Sequence, residues 1–174
     1  MGVERPASAT ALSAAGRVTL RPFREADALA LHPIFADPRA MRFWSTPPHT
    51  RLEQTWAYVR ATMAAAAAGE GDDQIVLHEG RVIGKAGLWD NKEIGFILAP
   101  DVWGMGLGQE AVASVIERAR SRGVPRILAD VDPRNEASLR LLGRLGFLET
   151  GRALATLQVG DEWVDSIYLE LVLA

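Results

Sequence analysis

Glycine stands at every second position in Trp103-Gly104-Met105-Gly106-Leu107-Gly108. A run with helical apolar spacing follows at once: Ala111, Val112, Val115, Ile116 and Ala119. A helix leaves its first amide N–H groups unpaired, and Ser, Thr, Asp or Asn normally caps them. The other clear helix starts carry such a residue, at Asp37, Thr50 and Asn135; this one carries none. Glycine adopts positive φ and lets a ligand approach the backbone, so a row of free amides faces outward with the positive end of the helix behind it. That is a seat for an anion. The dipole contributes only about 0.3–2 kcal/mol, so several N–H bonds must carry most of the binding of a diphosphate.

The flanking residues narrow the choice of anion. A phosphate loop ends in Gly-Lys-Ser/Thr, whereas this turn ends in Gly108-Gln109-Glu110. A dinucleotide fold needs G-x-G-x-x-G directly after its first parallel strand, with an acid about 20 residues on. Asp130 supplies the acid, but Gln109 occupies the place of the third glycine. An antiparallel meander also precedes the turn: Gln74 to Glu79, Arg81 to Trp89 and Glu93 to Leu98, divided by Gly80 and by Asp90-Asn91. Close packing of the glycines, without a ligand, is the remaining alternative.

Around this centre, Arg17 to Arg21 alternates as a strand and Ala26 to Phe35 carries a helical apolar face. Asp37-Pro38 reads as a cap opening a short helical turn through Phe43. Thr50-Arg51-Leu52-Glu53 reads as a capping box for a helix that ends at Gly69 and Gly71. Arg126 to Val131 is a strand, Asn135 to Leu145 a helix, and Phe147 to Val159 and Glu162 to Leu173 are strands joined by Gly160-Asp161. The expected fold is a single α/β (α+β) domain over residues 17–174. Its sheet is mixed, mostly antiparallel and twisted, of about seven strands splayed in the middle, with about four helices. Residues 1–16, rich in Ala, Ser and Thr, are expected to be a loosely ordered tail.

A chain of 174 residues with 48% hydrophobic and 24% charged residues closes one core without staples. The net charge of −3 argues against a nucleic-acid surface, and Arg118, Arg120, Arg122 and Arg126 read as a solvated helix end. The count of 0 cysteines removes disulfides, thiol nucleophiles and Cys-ligated metals. No run reaches the roughly 20 apolar residues of a membrane span. No His/Asp/Glu spacing suggests a metal. A cytoplasmic protein, monomer or homodimer, with no membrane partner is expected.

The segment Glu93-Ile94-Gly95-Phe96-Ile97-Leu98, followed by Trp103 to Ala111, resembles the central motif of the GNAT N-acetyltransferases. Asn135-Glu136-Ala137-Ser138 with Leu145-Gly146-Phe147 is similar to that family's second cofactor motif. Leu20-Arg21-Pro22, Asp37-Pro38 and Trp163-Val164-Asp165 resemble its ribosomal-protein N-acetyltransferase branch. The resemblance implies acetyl-CoA as co-substrate. Its pyrophosphate would lie on the amides of Met105 to Gly108, within the turn Trp103–Gly108. Its pantetheine arm would run as an added strand against Ile97 and Leu98. Asn135 would reach the arm and Ser138 the sulfur. Trp103 departs from the Arg or Gln that many members carry there.

Acyl transfer from a thioester to an amine needs a neutral amine, an oxyanion donor, a proton for the thiolate and exclusion of water. At pH 7 an α-amine is about one-tenth neutral, whereas a lysine amine is neutral in fewer than about one molecule in a thousand. The expected acceptor is a primary amine, on a protein N-terminus or a small molecule, attacking directly in a ternary complex. Glu93 is the candidate base and Ser138 the candidate proton donor. Phe43, Trp44, His49, Trp89 and Asp165, with Trp163 beside them, are candidates for the acceptor wall. A non-catalytic acyl-CoA sensor is the alternative.

Overall fold

The computed structural model describes residues 16–173, so the expected tail at residues 1–16 lies almost wholly outside the described residues. In chain order the elements are β1 (Val18–Arg21), α1 (Asp27–Phe35), α2 (Leu52–Ala67), β2 (Gly71–His78), β3 (Arg81–Trp89) and β4 (Glu93–Leu98). They continue with α3 (Leu107–Ser121), β5 (Arg126–Val131), α4 (Glu136–Arg144), β6 (Leu148–Val159) and β7 (Glu162–Val172). A 3-10 turn, Pro100–Val102, leads from β4 into the glycine run.

The strands form one seven-stranded sheet in the order β1-β2-β3-β4-β5-β7-β6. Every pairing is antiparallel except that of β4 with β5, which is parallel and holds at one register position, Glu93 opposite Leu128. Beyond that junction the two strands part. The expected fold class is therefore the observed one. β3 is buried from Ile83 to Leu88 because helices cover it on both sides, α1 from one and α3 from the other. The core joins Leu31 and Phe35 of α1, Ile75 and Ile83 of the sheet, and Leu107 and Val112 of α3.

Several local expectations shift. The capping box moves by one residue: Arg51 holds the cap position, and the Gln54 carboxamide oxygen accepts from the N–H groups of Thr50 and Arg51 at 2.8 and 2.9 Å. Glu53 takes no part in it, because the helix starts one residue later than the Thr50 signal. No helix forms after Asp37. Its carboxylate accepts from the Arg39 N–H at 2.8 Å, which closes a turn instead. β2 begins at Gly71 rather than Gln74, since Asp72 is drawn into the sheet by cations. Arg118 reaches its carboxylate at 2.6 Å and Arg122 at 2.7 Å, so these two arginines tie α3 to β2 rather than standing solvated. Burial alone would raise the Asp72 pKa, and the two guanidinium groups bring it below the usual value.

Candidate active site

α3 starts at Leu107, and Gly106 takes the cap position with φ 79°. Gly104 also has positive φ, 75°, so the turn lies in a region that L side chains avoid. The first main-chain bond into the helix is Glu110 N–H to Gly106 O, 3.2 Å. Among the described residues, the N–H groups of Gly104 to Gln109 have no acceptor outside the helix ladder, whose first bond comes only at Glu110. The amide row read from the sequence is thus formed. Glu110 meets Arg17 at the start of β1: the Arg17 N–H and Nε donate to its two carboxylate oxygens at 2.8 and 2.7 Å. A Cβ on Gly106 would lie 3.2 Å from Arg17 Nη2, so a guanidinium stands beside the amide row. Arg17 was not legible as a site residue, because nothing local to β1 points at a turn some 90 residues on.

The parting of β4 from β5 leaves main-chain groups unpaired. In an antiparallel ladder, successive residues turn their N–H and C=O to opposite neighbours. The Ala99 N–H donates to Ile83 O at 2.8 Å, so Ile97, Gly95 and Glu93 direct theirs to β3. Phe96 and Leu98 direct theirs into the opening. Ile97, expected to offer main-chain bonds to a cofactor, faces β3 instead, and Phe96 and the Leu98 N–H are the groups that face the opening. Trp103 Nε1 donates to Leu98 O at 3.0 Å, which folds the indole over the end of the strand.

The opening and the glycine turn belong to one cleft of about 1280 Å³. Glu93, Ile97, Leu98, Trp103, Gly104, Gly106, Leu107, Gly108, Asn135, Ser138, Phe43, Trp44, His49, Trp89 and Asp165 all line it; Met105 and Trp163 do not. Trp163 is exposed on β7, outside the lining of the cleft. Asn135 caps α4 by accepting from the Ser138 N–H at 3.2 Å, which occupies its oxygen and leaves its amide NH2 without a partner among the described residues. Asp165 accepts from the Ala155 N–H at 2.8 Å and so holds the bulge in β6, where Ala155 has φ 50°. Burial, with Asp130 nearby, pushes the Glu93 carboxyl above its usual range.

The cleft also has walls that the sequence did not reveal. Lys85 is 4% exposed, bonds Asp73 at 3.1 and 3.2 Å and lies 4.8 Å from the Trp44 ring. Burial alone would lower its pKa; Asp73 and Tyr58 outweigh this and raise it. A lone lysine inside an otherwise apolar strand was the available signal. Arg134 bonds Asp132 at 2.6 Å and Glu162 at 2.7 Å and lies 5.9 Å from the Phe43 ring, tying together three residues that line the cleft. Among the described residues no group of three or more His, Cys, Asp or Glu is placed to hold a metal, and no helix is long and apolar enough to cross a membrane.

Residues 17–148 match the acetyltransferase (GNAT) domain. The chain is 31% identical over 144 residues to an uncharacterised N-acetyltransferase, p20, of Bacillus licheniformis, covering 78% of this chain and 81% of that one. It is 30% identical over 132 residues to the L-methionine sulfoximine/L-methionine sulfone acetyltransferase of Pseudomonas paraeruginosa, covering 72% and 76%. The solved ribosomal-protein-S5-alanine acetyltransferase of Vibrio fischeri superposes with a TM-score of 0.78 at 21% identity, over 90% of this chain and 93% of that one. With a seat of free amides, an opened sheet edge and these likenesses together, the chain belongs to the GNAT family and is an acetyl-CoA-dependent N-acetyltransferase.

Proposed function

We propose that the enzyme acetylates the α-amine of a small molecule by direct attack in a ternary complex. The observation that carries this reading is the continuity of the amide row at Gly104–Gln109 with the unpaired edge of β4, which ends at Glu93 in the same cleft. The amides would hold the pyrophosphate, and Phe96 and Leu98 would pair with the pantetheine arm. The Asn135 amide would meet the arm and the Ser138 hydroxyl the sulfur. The thioester carbonyl would then lie near Glu93. A carboxyl with a raised pKa suits removal of a proton from the attacking nitrogen, directly or through a water. The neutral amine bonds through its nitrogen to the carbonyl carbon and gives its surplus proton to Glu93; the C–S bond breaks and the thiolate takes a proton from Ser138, the candidate donor, which the proton on Glu93 then replaces.

An α-amine is favoured because it needs the least help in losing its proton. A small acceptor is favoured because Arg134 ties together Phe43, Asp132 and Glu162, which all line the cleft. The relative from Pseudomonas paraeruginosa, by its name, acts on L-methionine sulfoximine and sulfone. The test is thiol release from acetyl-CoA with free amino acids, short peptides and polyamines as acceptors. Release that is fastest with amino acids is expected. Tight coenzyme A binding with no release for any amine would instead establish a sensor.

A further inference from the structure

Thr55 of α2 is fully buried, and its hydroxyl oxygen lies 2.8 Å from Nδ1 of His32 on α1 and 2.8 Å from Nδ1 of His49 in the loop before α2. A hydroxyl carries one proton. It donates to one of these nitrogens and accepts from the other, so the neutral pair holds one Nδ1 proton between them and the two rings take opposite tautomers. His49 lines the cleft, and with Nδ1 engaged its remaining polar ring atom is Nε2. Phe35 fixes that ring twice, by an edge contact at 5.2 Å and by accepting the His49 main-chain N–H at 2.8 Å. His32 is half-buried and does not line the cleft.

We propose that His49, Thr55 and His32 form a proton relay that takes the acceptor's proton from the cleft to the α1–α2 surface. The proposal rests on the reading of the cleft as an amine-acetylating site. In the receptive state His49 Nδ1–H donates to Thr55, and Thr55 O–H donates to His32 Nδ1. Nε2 of His49 accepts a proton from the acceptor ammonium. The Nδ1 proton moves to Thr55 as the Thr55 proton moves to His32, and His32 then releases its Nε2 proton to water. After the product leaves, exchange with water at both Nε2 atoms restores the first state. Burial and the neighbouring His32 hold the His49 pKa below its usual value, so the ring is neutral and able to accept at neutral pH. The other charged groups on this part of the cleft are the Lys85–Asp73 pair across β2 and β3, Arg39 bound to Asp37, Arg42 over Phe43, and Glu93 on β4. Glu93 takes the proton that the nitrogen sheds as the C–N bond forms, whereas His49 takes the one that makes the entering ammonium neutral, so the two acceptors handle different protons.

The experiment has two arms on the full-length enzyme. Long-range proton–nitrogen NMR correlation of the histidine rings should show opposite tautomers for His32 and His49; identical tautomers would overturn the relay. In thiol-release kinetics with the best acceptor, Thr55→Val and His32→Gln should each lower kcat about tenfold or more and change the pH profile. Coenzyme A affinity should stay within twofold, Thr55→Ser should recover the rate, and the Thr55→Val/His32→Gln double variant should be no worse than either single one. A kcat within twofold of the parent in Thr55→Val, or in His32→Gln if Thr55→Val fails to fold, would overturn it. A parent enzyme that binds coenzyme A but acetylates no amine would overturn the acetylation reading itself, and the tautomer arm separates that outcome from failure of the relay alone.

Discussion

Gly106→Ala tests the amide row most directly. The position has φ 79°, which costs an L-residue about 1–2 kcal/mol, and the new Cβ would lie 3.2 Å from Arg17 Nη2, closer than an ordinary contact. Two responses are open to the chain. If the backbone holds its conformation, the strain falls on stability, and a domain of this size should melt about 2–8 °C lower. If the peptide rotates to relieve it, an amide turns away from the anion. One bond to a charged group, worth about 1.5–3 kcal/mol, is then lost, and coenzyme A binds roughly ten- to 150-fold more weakly. Calorimetric titration with coenzyme A beside a thermal melt reads both. A variant that melts with the parent and binds within twofold of it would refute the reasoning, because the strain would have no place to appear.

Glu93→Gln should lower kcat by about 100-fold while leaving coenzyme A affinity unchanged, measured by thiol release and titration. A base works when deprotonated, so the raised Glu93 pKa places the acid limb of the rate profile above the ordinary carboxylate range; Asp130→Asn removes a like charge and should move that limb to lower pH. Asp72→Asn should cost about 1–3 kcal/mol at pH 7 in urea unfolding. This is less than the 3–5 of a fully buried pair, since Arg118 is 45% exposed. Because folding depresses the Asp72 pKa, its contribution is present above the unfolded value and lost as pH falls through the folded one, so parent and variant should converge in acid. Gly143→Ala, inside α4 with open space around the added Cβ and no positive φ, should stabilise by about 0.4–1 kcal/mol in the same assay.

β3, β4 and β5 begin and end where their residues alone placed them, because each is an apolar run closed by turn chemistry at both ends. Misreadings came where a polar residue took a side-chain partner that the local pattern does not show. Asp72 resembles a turn residue until Arg118 and Arg122 arrive from α3, and Asp37 resembles a helix cap until Arg39 closes on its carboxylate. The glycine-turn end of the cleft was legible because its donors are backbone, and glycine spacing reports backbone directly. The rest of the cleft is built of side chains converging from the loop before α2, α2, β3 and the β6–β7 hairpin. No local pattern announces that His32 and His49 share Thr55, or that Arg134 spans Asp132 and Glu162.

The solitary rung between Glu93 and Leu128 has a mechanical meaning. Four strands on one side and three on the other are sewn by a single stitch, with the covering helices left to restrain their relative tilt. A ligand laid along Phe96 and Leu98 would add further stitches, so filling the cleft and stiffening the sheet would become one event. Amide exchange at the centre of this protein should therefore report occupancy as faithfully as turnover does.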